Sequence, residues 1–289
     1  MNYVFVVNSF TLNNKCEEVC NKIKDYCINK KIKFIIEIND VNNSTEYIVN
    51  KYRDSKNVII AVGGDGMINR ILNNLVDTDN ILGVIPSGTG NDFYRSIKSQ
   101  CCDGINDCDL IKINNKYFIN VACFGIDVDI ANDDKAIISN SFLKKYKYII
   151  SLVRHFFKYK SRKLYVEVDN ELLSGSFVTV AICNGMYYGS GFNIGPKLNI
   201  NDGLIDVYIV NNINKLKMIK LILSMKKGKH ENSKYVNKYS VTKMKIKAED
   251  VIKSNIDGEI LEAKEFDIKV LDKKIKLYYD HEMVNKIIN

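Results

Sequence analysis

The sequence has very little of several residue types that mark particular protein classes. Its 289 residues include two prolines, no tryptophan and three histidines, and its eight cysteines form no CxxC pair that could complete a zinc site. Free, mostly structural thiols in a reducing compartment are therefore the better interpretation. No apolar run approaches the roughly 18 residues of a membrane span, and MNYVFVVNSF lacks the basic leader of a signal peptide. We expect a cytoplasmic protein.

The composition is otherwise that of an ordinary globular protein. Hydrophobic residues make up 46% and charged residues 26%, which excludes a disordered or fibrous chain. A chain of 289 residues exceeds what one hydrophobic core usually organises, so we expect two domains. The net charge of +8 fits an anionic partner such as a nucleotide, a nucleic acid or an acidic lipid surface, but it does not choose among them.

Short apolar segments alternate with helix-length segments in the first part of the chain. The predicted strands are Tyr3 to Val7, Lys33 to Ile38, Val58 to Val62 and Ile81 to Ile85. Their nearly continuous apolar character indicates burial on both faces, and the β-α-β alternation predicts a parallel sheet wrapped by helices. After about residue 110 the pattern is β-rich, with strands predicted at 163–169, 177–184, 205–210, 241–247 and 266–278 and helical insertions at 140–160 and 214–229.

Two glycine-rich loops follow neighbouring predicted strands. The first is GGDG at 63–66, after the third strand, and the second is PSGTGNDFYRS at 86–96, after the fourth. Ligands of an open parallel sheet bind beyond the carboxyl ends of its strands, where glycine lets backbone N–H groups approach phosphate oxygens. The acidic residues Asp65 and Asp92 would repel a bare phosphate, so the loops indicate a nucleotide bound with magnesium.

The two loops could also be simple turns or belong to other classes of nucleotide-binding enzyme. A single short glycine cluster is more often only a tight turn between a strand and a helix, but two clusters that each contain a carboxylate favour ligand binding. Neither loop matches GxGxxG or GxxxxGK[ST], so a dinucleotide dehydrogenase and a P-loop enzyme are disfavoured.

The loops also resemble those of a known family. GGDG at 63–66 together with GTGNDFYRS at 88–96 is similar to the diacylglycerol kinase catalytic family, particularly its soluble bacterial lipid kinases, whereas NAD kinases and 6-phosphofructokinases share GGDG alone in related form. The resemblance implies a Rossmann-like parallel α/β domain at 1–118 and a β-sandwich domain at 119–289, with a segment at about 278–289 that can return to the first domain. Further matches lie at 120–130, 182–196, 201–207 and 256–259.

The resemblance implies residues for ATP binding and for catalysis. Glu259 in IDGE matches the general base that takes the proton of the acceptor hydroxyl, and Asp65 is the second predicted catalytic residue. Without the family, an Asp-Gly pair more often indicates only a turn between strands. The predicted ATP-binding residues are Asn8, Gly63, Gly64, Asp65, Gly66, Met67, Asn69, Arg70, Gly88, Thr89 and Asn91.

The resemblance also implies bound Mg2+. Asp202 in NDGL matches a structural magnesium ligand, flanked by the backbone carbonyls of Asn199 and Leu204. Asp92 and Asp127 match acidic positions that link this metal, through water, to the magnesium on the phosphates. A simple Asp-Gly turn stays open at Asp202, whereas an EF-hand around Asp127 is rejected because its glycine and its final glutamate are missing.

Two departures from the family pattern fall in the predicted nucleotide pocket. Met67 replaces the threonine that usually follows GGDG, and the turn at 8–12 lacks the usual Asn-Pro-x-Ser-Gly pattern. Either change could weaken ATP binding. A non-catalytic nucleotide- or lipid-binding regulator therefore stays open, beside a NAD kinase-like enzyme, as an alternative to a lipid kinase.

The predicted reaction is transfer of the γ-phosphoryl group of ATP to a lipid hydroxyl, with diacylglycerol as the first choice of acceptor. A sphingoid base or a phosphatidylglycerol headgroup would use the same machinery. Residues 142–163 combine basic and aromatic side chains in a predicted helix, which fits equally well a peripheral contact with the inner membrane face and a helix that simply covers a sheet. No RNP, KH or zinc-knuckle pattern is present, so nucleic acid is not an expected partner. A homodimer is compatible with the sequence.

Overall fold

The computed structural model describes residues 1–125, 162–225 and 228–288. In chain order the strands are β1 Tyr3–Asn8, β2 Phe34–Asn39, β3 Val58–Gly63, β4 Ile81–Pro86, β5 Gly104–Cys108, β6 Ile111–Ile113, β7 Lys116–Phe118, β8 Val121–Gly125, β9 Arg162–Val168, β10 Glu171–Cys183, β11 Tyr187–Tyr188, β12 Phe192–Asn193, β13 Ile205–Asn211, β14 Val236–Val241, β15 Lys243–Ile256, β16 Glu259–Val270 and β17 Ile275–Tyr279. The helices are α1 Ser9–Leu12, α2 Cys16–Asn29, α3 Thr45–Asn50, α4 Asp65–Leu75, α5 Asp92–Gln100, α6 Lys215–Met225 and α7 His281–Ile288.

The first sheet has the strand order β2-β1-β3-β4-β17-β5. Strands β1 to β4 and β17 run parallel, and β5 pairs antiparallel with β17. Every residue of β3 and β4 is buried, because α3, α4 and α5 pack on one face of the sheet and α2 and α7 pack on the other. The predicted parallel sheet wrapped by helices is therefore confirmed, and its predicted strands agree with β1 to β4 to within one residue at each end.

The second sheet is antiparallel and has the order β14-β13-β10-β8-β15-β16-β6-β7, with β9 paired to both β10 and β15. Apolar residues of one face form a core in which the rings of Phe124 and Phe266 meet edge to face, 4.7 Å apart. Helix α6 covers other apolar residues of this sheet with its buried Met218 and Leu221. The β-rich second part of the chain is therefore also as expected.

The end of the chain returns to the first sheet. After β16, residues 275–279 insert between β4 and β5, and α7 packs on α2, where the Tyr26 hydroxyl donates to Asp280 at 3.0 Å. The single strand predicted at 266–278 is therefore wrong, since it joins two strands that belong to different sheets. The domain limits at 118 and 119 stay a prediction.

Two predictions concern residues that the structure does not describe. Asp127 and residues 142–161 lie outside the described ranges, so the metal role of Asp127 and the lipid contact of the basic helix stay predictions. Arg162 and Lys163 begin β9 instead of ending a helix. Within the described ranges, no helix has the length and apolar character needed to cross a bilayer.

Candidate active site

Two glycine loops meet at the carboxyl ends of β3 and β4. Gly64 begins α4 without a side-chain cap. Gly88 crosses directly over it, since a Cβ added to Gly88 would lie 2.7 Å from the Cα of Gly64. Any side chain at position 88 would push the loops apart. The two loops therefore form one surface, with the N-terminus of α4 open to an anionic ligand.

A groove of about 440 Å³ opens above this surface. The strands and turns of the second sheet contribute Asn120, Asn255, Asp257 and Gly258 to its wall, and the separate two-stranded hairpin of β11 and β12 contributes residues 188–190. The site thus lies where the two sheets meet. The predicted site residues that line it are Asn8, Gly64, Asp65, Gly66, Met67, Arg70, Gly88, Thr89 and Asp92.

Asp65 holds the second loop against the first. Its Oδ1 accepts a hydrogen bond from Phe93 N at 3.0 Å, and its Oδ2 accepts one from Asp92 N at 3.1 Å. These donors begin α5, whose N-cap residue Asn91 makes no side-chain cap of its own. The carboxylate that the sequence assigns to ATP and catalysis therefore also caps a helix and joins the two loops.

Asp92 extends this connection to the hairpin of β11 and β12. Its two oxygens accept hydrogen bonds from Ser190 N at 2.9 Å and Gly191 N at 2.7 Å. Burial, and then the charge of Asp65, raise the pKa of Asp92 to about 6. The position of a Cβ on Gly90 is 3.1 Å from Asp65 Oδ2 and 3.6 Å from Asp92 Oδ2. A ligand at this end of the groove therefore meets two acidic groups at once.

Three predicted ATP-binding residues shape the loops and do not line the groove. Gly63 ends β3 and packs on the side chain of Met67, which is 2% exposed. Asn69 donates to a backbone carbonyl of β7 at 3.0 Å. Asn91 has a left-handed backbone conformation and accepts a hydrogen bond from Gly88 N at 3.0 Å. The Met67 side chain packs into the core, although Met67 also borders the groove, so little of the residue that replaces threonine is exposed to a ligand.

Asp257, which the sequence analysis does not assign, fixes the turn before Glu259. This buried carboxylate accepts hydrogen bonds from the backbone N–H groups of 119–121, at 2.8, 3.0 and 3.2 Å, and from the Asn69 amide at 3.4 Å. Burial raises the pKa of Asp257 to about 6, although these donors act in the opposite direction. The Asp-Gly pair predicted a turn, but no local pattern marks a carboxylate that will be buried.

Glu259 lies beside the first glycine loop. The turn before it packs on Gly66, and a Cβ on Gly66 would lie 3.3 Å from Glu259 Oε1. The same oxygen is 2.5 Å from Nη1 of Arg70. Glu259 lines a second cavity of about 530 Å³, which shares Arg70 with the groove. The predicted base thus stands at the boundary between two cavities.

Two family models cover the chain. The diacylglycerol kinase catalytic domain matches residues 2–122, and the YegS C-terminal NAD kinase beta sandwich-like domain matches residues 120–279, which is more than half of the chain. The chain belongs to the YegS and diacylglycerol kinase family of lipid kinases. The predicted family and the α/β domain followed by a β-sandwich are therefore confirmed.

Individual relatives agree with this family. The chain is 26% identical to the diacylglycerol kinase of Bacillus subtilis (strain 168), over 70% of the chain and 71% of that protein. It is 27% identical to a protein of Alcanivorax borkumensis named probable lipid kinase YegS-like, over 76% of the chain and 78% of that protein. A crystal structure of a diacylglycerol kinase from Bacillus anthracis str. Sterne matches with a TM-score of 0.75 at 20% identity, over 98% of both chains, and shows the shared fold.

Magnesium fits the acidic end of the groove in this family member. Each oxygen of Asp65 and Asp92 that accepts a backbone N–H keeps a further lone pair. Burial and the charge of Asp65 raise the pKa of Asp92, whereas Arg95, whose Nε lies 3.9 Å from Asp92 Oδ1, acts in the opposite direction. Oxygen-only sites with carboxylates suit hard cations.

The predicted structural magnesium ligands Asp202, Asn199 and Leu204 lie outside the groove. Asp202 Oδ1 accepts a hydrogen bond from Leu204 N at 3.0 Å, and burial raises the pKa of Asp202, with a smaller contribution from the charge of Asp109. The metal role of Asp202 stays a prediction, and Lys274 brings its ammonium to 3.1 Å from the neighbouring Asp109. Over the described parts of the chain, no three His, Cys, Asp or Glu side chains group as a metal centre, so such an ion would depend on backbone carbonyls.

An apolar cavity of about 60 Å³ lies beneath α6, on the other side of Tyr188. Tyr188 lines both this cavity and the groove. The walls of the cavity include Phe192, Met218, Leu221 and His230. Burial lowers the pKa of His230. The sequence showed only the apolar stripe of α6, because the strands that complete the cavity are distant along the chain.

Proposed function

We propose that this protein transfers the γ-phosphoryl group of ATP to the hydroxyl of diacylglycerol and forms phosphatidic acid. The observation that carries the proposal is the position of Glu259, whose Oε1 lies beside Gly66 at the open N-terminus of α4. A carboxylate at that point can take the proton of a hydroxyl that attacks a phosphate held on the loops. Membership of a lipid kinase family supports a lipid as the acceptor.

The groove suits a polyphosphate that binds together with a cation. Gly64 and Gly88 keep the backbone open, and α4 offers N–H groups without a competing side-chain cap. Arg70 and Thr89 add hydrogen-bond donors to the same groove. Asp92, supported by Asp65, would hold magnesium, which when bound offsets the charge of the phosphates.

The transfer needs one proton acceptor and one leaving group. The acceptor hydroxyl gives its proton to the Glu259 carboxylate while its oxygen forms a bond to the γ-phosphorus of ATP. The bond from that phosphorus to the bridging oxygen breaks, and ADP leaves with the electron pair. The Asp257 hydrogen bonds hold the turn that carries the base, so the backbone of this turn does not have to be ordered at the moment of reaction.

The apolar cavity beneath α6 supports a lipid acceptor. It is lined largely by apolar side chains, and Tyr188 separates it from the nucleotide groove. At about 60 Å³ the cavity would hold only a small apolar part of the lipid, since ligand pockets usually measure about 300 to 1,000 Å³. Peripheral contact of residues 142–163 with a membrane and a homodimer stay predictions.

Transfer of label from radiolabelled ATP tests this proposal. The purified protein is incubated with magnesium, labelled ATP and mixed vesicles that contain diacylglycerol, a sphingoid base or phosphatidylglycerol, and in parallel with NAD. We expect label in phosphatidic acid. Label in another lipid would show that this lipid, and not diacylglycerol, is the acceptor. Label in NAD alone would establish a NAD kinase, and ATP binding without any transfer would establish a nucleotide-binding regulator.

A further inference from the structure

Arg70 stands between the two cavities of the candidate active site. It lines the phosphate groove and also the adjoining cavity, whereas Glu259 lines only the adjoining one. The guanidinium Nη1 is 2.5 Å from Glu259 Oε1, and the two side chains are 47% and 42% exposed. The carboxylate that would act as base is therefore paired with a side chain that lines both cavities.

The backbone beneath this ion pair is fixed on both sides. Arg70 lies on α4, one turn after Gly66, and the Cβ position of Gly258 is 3.4 Å from Gly66 N. Asp257 holds the turn before Glu259 through its bonds to the chain at 119–121. Any rearrangement at the pair is therefore confined to two exposed side chains, which move easily.

Bound nucleotide would compete with Glu259 for Arg70. An exposed ion pair is weak because water screens it, whereas a guanidinium forms strong paired hydrogen bonds with phosphate oxygens.

We propose that Arg70 is a positioning residue that restrains Glu259 until ATP binds. The phosphates draw the guanidinium away from Oε1, and the carboxylate is then free to accept the proton of the acceptor hydroxyl. This inference rests on the proposed function, and it adds an order to it: the base is released only when the phosphoryl donor is present.

Equilibrium ATP binding, measured without lipid, tests the proposal. The proteins compared are the wild type, Glu259→Gln, Arg70→Gln and the double variant. Glu259→Gln frees Arg70, so we expect ATP to bind about 3- to 10-fold more tightly, and Arg70→Gln should weaken binding about 10-fold. In the Arg70→Gln background, Glu259→Gln should change the dissociation constant for ATP by less than about twofold, because the arginine that Glu259 would otherwise hold is absent.

Other outcomes overturn the proposal. Equal tightening by Glu259→Gln in both backgrounds would mean simple repulsion between the carboxylate and the phosphates. If Glu259→Gln did not tighten ATP binding in either background, the ion pair would not compete with ATP for Arg70. Glu262→Gln is the matched control, since Glu262 lies on the same strand and pairs with Lys253 at 3.2 Å. A protein that binds ATP but labels no lipid would refute the proposed function while this cycle still decides the role of Arg70.

Discussion

Two carboxylates that are two residues apart show how differently this molecule uses acidic groups. Asp257 is 5% exposed and accepts hydrogen bonds from the backbone at 119–121, whereas Glu259 is nearly half exposed and pairs with an arginine that is also nearly half exposed. The first region fixes geometry, because each buried oxygen is matched to an amide donor. The second leaves its carboxylate free to change partner, which proton transfer requires.

The same contrast between carboxylates bound by backbone N–H groups and an exposed ion pair is found across the groove. Asp65 caps α5, and Asp92 binds the turn at 190–191, so both carboxylates connect separate parts of the chain through backbone N–H groups. The Arg70–Glu259 pair also joins the two sheets, but through side chains in contact with water. We therefore expect the buried group to govern stability and the exposed pair to govern chemistry.

Glu259→Gln should give the largest effect. Loss of the proton acceptor is expected to lower kcat for lipid phosphorylation by about 10²- to 10⁴-fold, while the free energy of unfolding stays nearly unchanged. Labelled-lipid kinetics and urea unfolding measure the two quantities. Glu262→Gln should keep full activity, and equal turnover in wild type and Glu259→Gln would remove Glu259 from the mechanism.

Asp257→Asn should instead show its effect in stability and in its pH dependence. The pKa of about 6 in the folded protein lies above the ordinary 3.8, so the folded state favours the protonated acid. The stabilisation from this group is complete below about pH 4 and is lost as the pH rises through about 6. The free energy of unfolding of the wild type, relative to Asp257→Asn, should fall by about 2 kcal/mol from pH 4 to pH 7. A difference that does not vary with pH, in urea unfolding across this range, would contradict the assignment.

Gly88→Ala tests the contact between the two loops. The added Cβ would lie 2.7 Å from the Cα of Gly64, so the loops must separate at a cost of about 1 to 3 kcal/mol in unfolding free energy, and ATP binding should weaken. Thermal unfolding and ATP titration provide the measurements. Gly175→Ala is the control, because the nearest atom to a Cβ added at Gly175 would be 3.6 Å away. An equal loss of stability in both variants would show that the close contact between Gly64 and Gly88 does not cause it.

Arg70→Gln should have the smallest effect on stability. The pair is exposed on both sides, so its loss should change the unfolding free energy by no more than about 1 kcal/mol. A loss as large as that of Asp257→Asn at pH 4 in the same urea experiment would mean that the exposed pair is structural, and the contrast between the two regions would disappear.

The sequence predicted more of the first domain than of the second. The apolar runs at β3 and β4 are continuous because both faces are buried, so their limits could be predicted to within one residue. The strand predicted at 266–278 failed because β16 and β17 have similar local patterns, and only the partners of each strand separate them.

The candidate site divides in a similar way. The glycine loops could be predicted because their residue types and spacing reflect what a bound phosphate needs, whereas Glu259 was assigned through the family resemblance and its role as base stays a prediction. The roles of Asp257, of Asp65 as a helix cap and of the cavity beneath α6 could not, because each depends on partners that are distant in the sequence.

The sequence by itself determined the parallel sheet, the pair of glycine loops and the family, since these depend on local periodicity and on residues close together in the chain. Only the tertiary structure decided which carboxylates would be buried and which would stay free. Burial and hydrogen-bond partners are properties of the packed chain, and those partners come from strands and turns that the sequence places far apart.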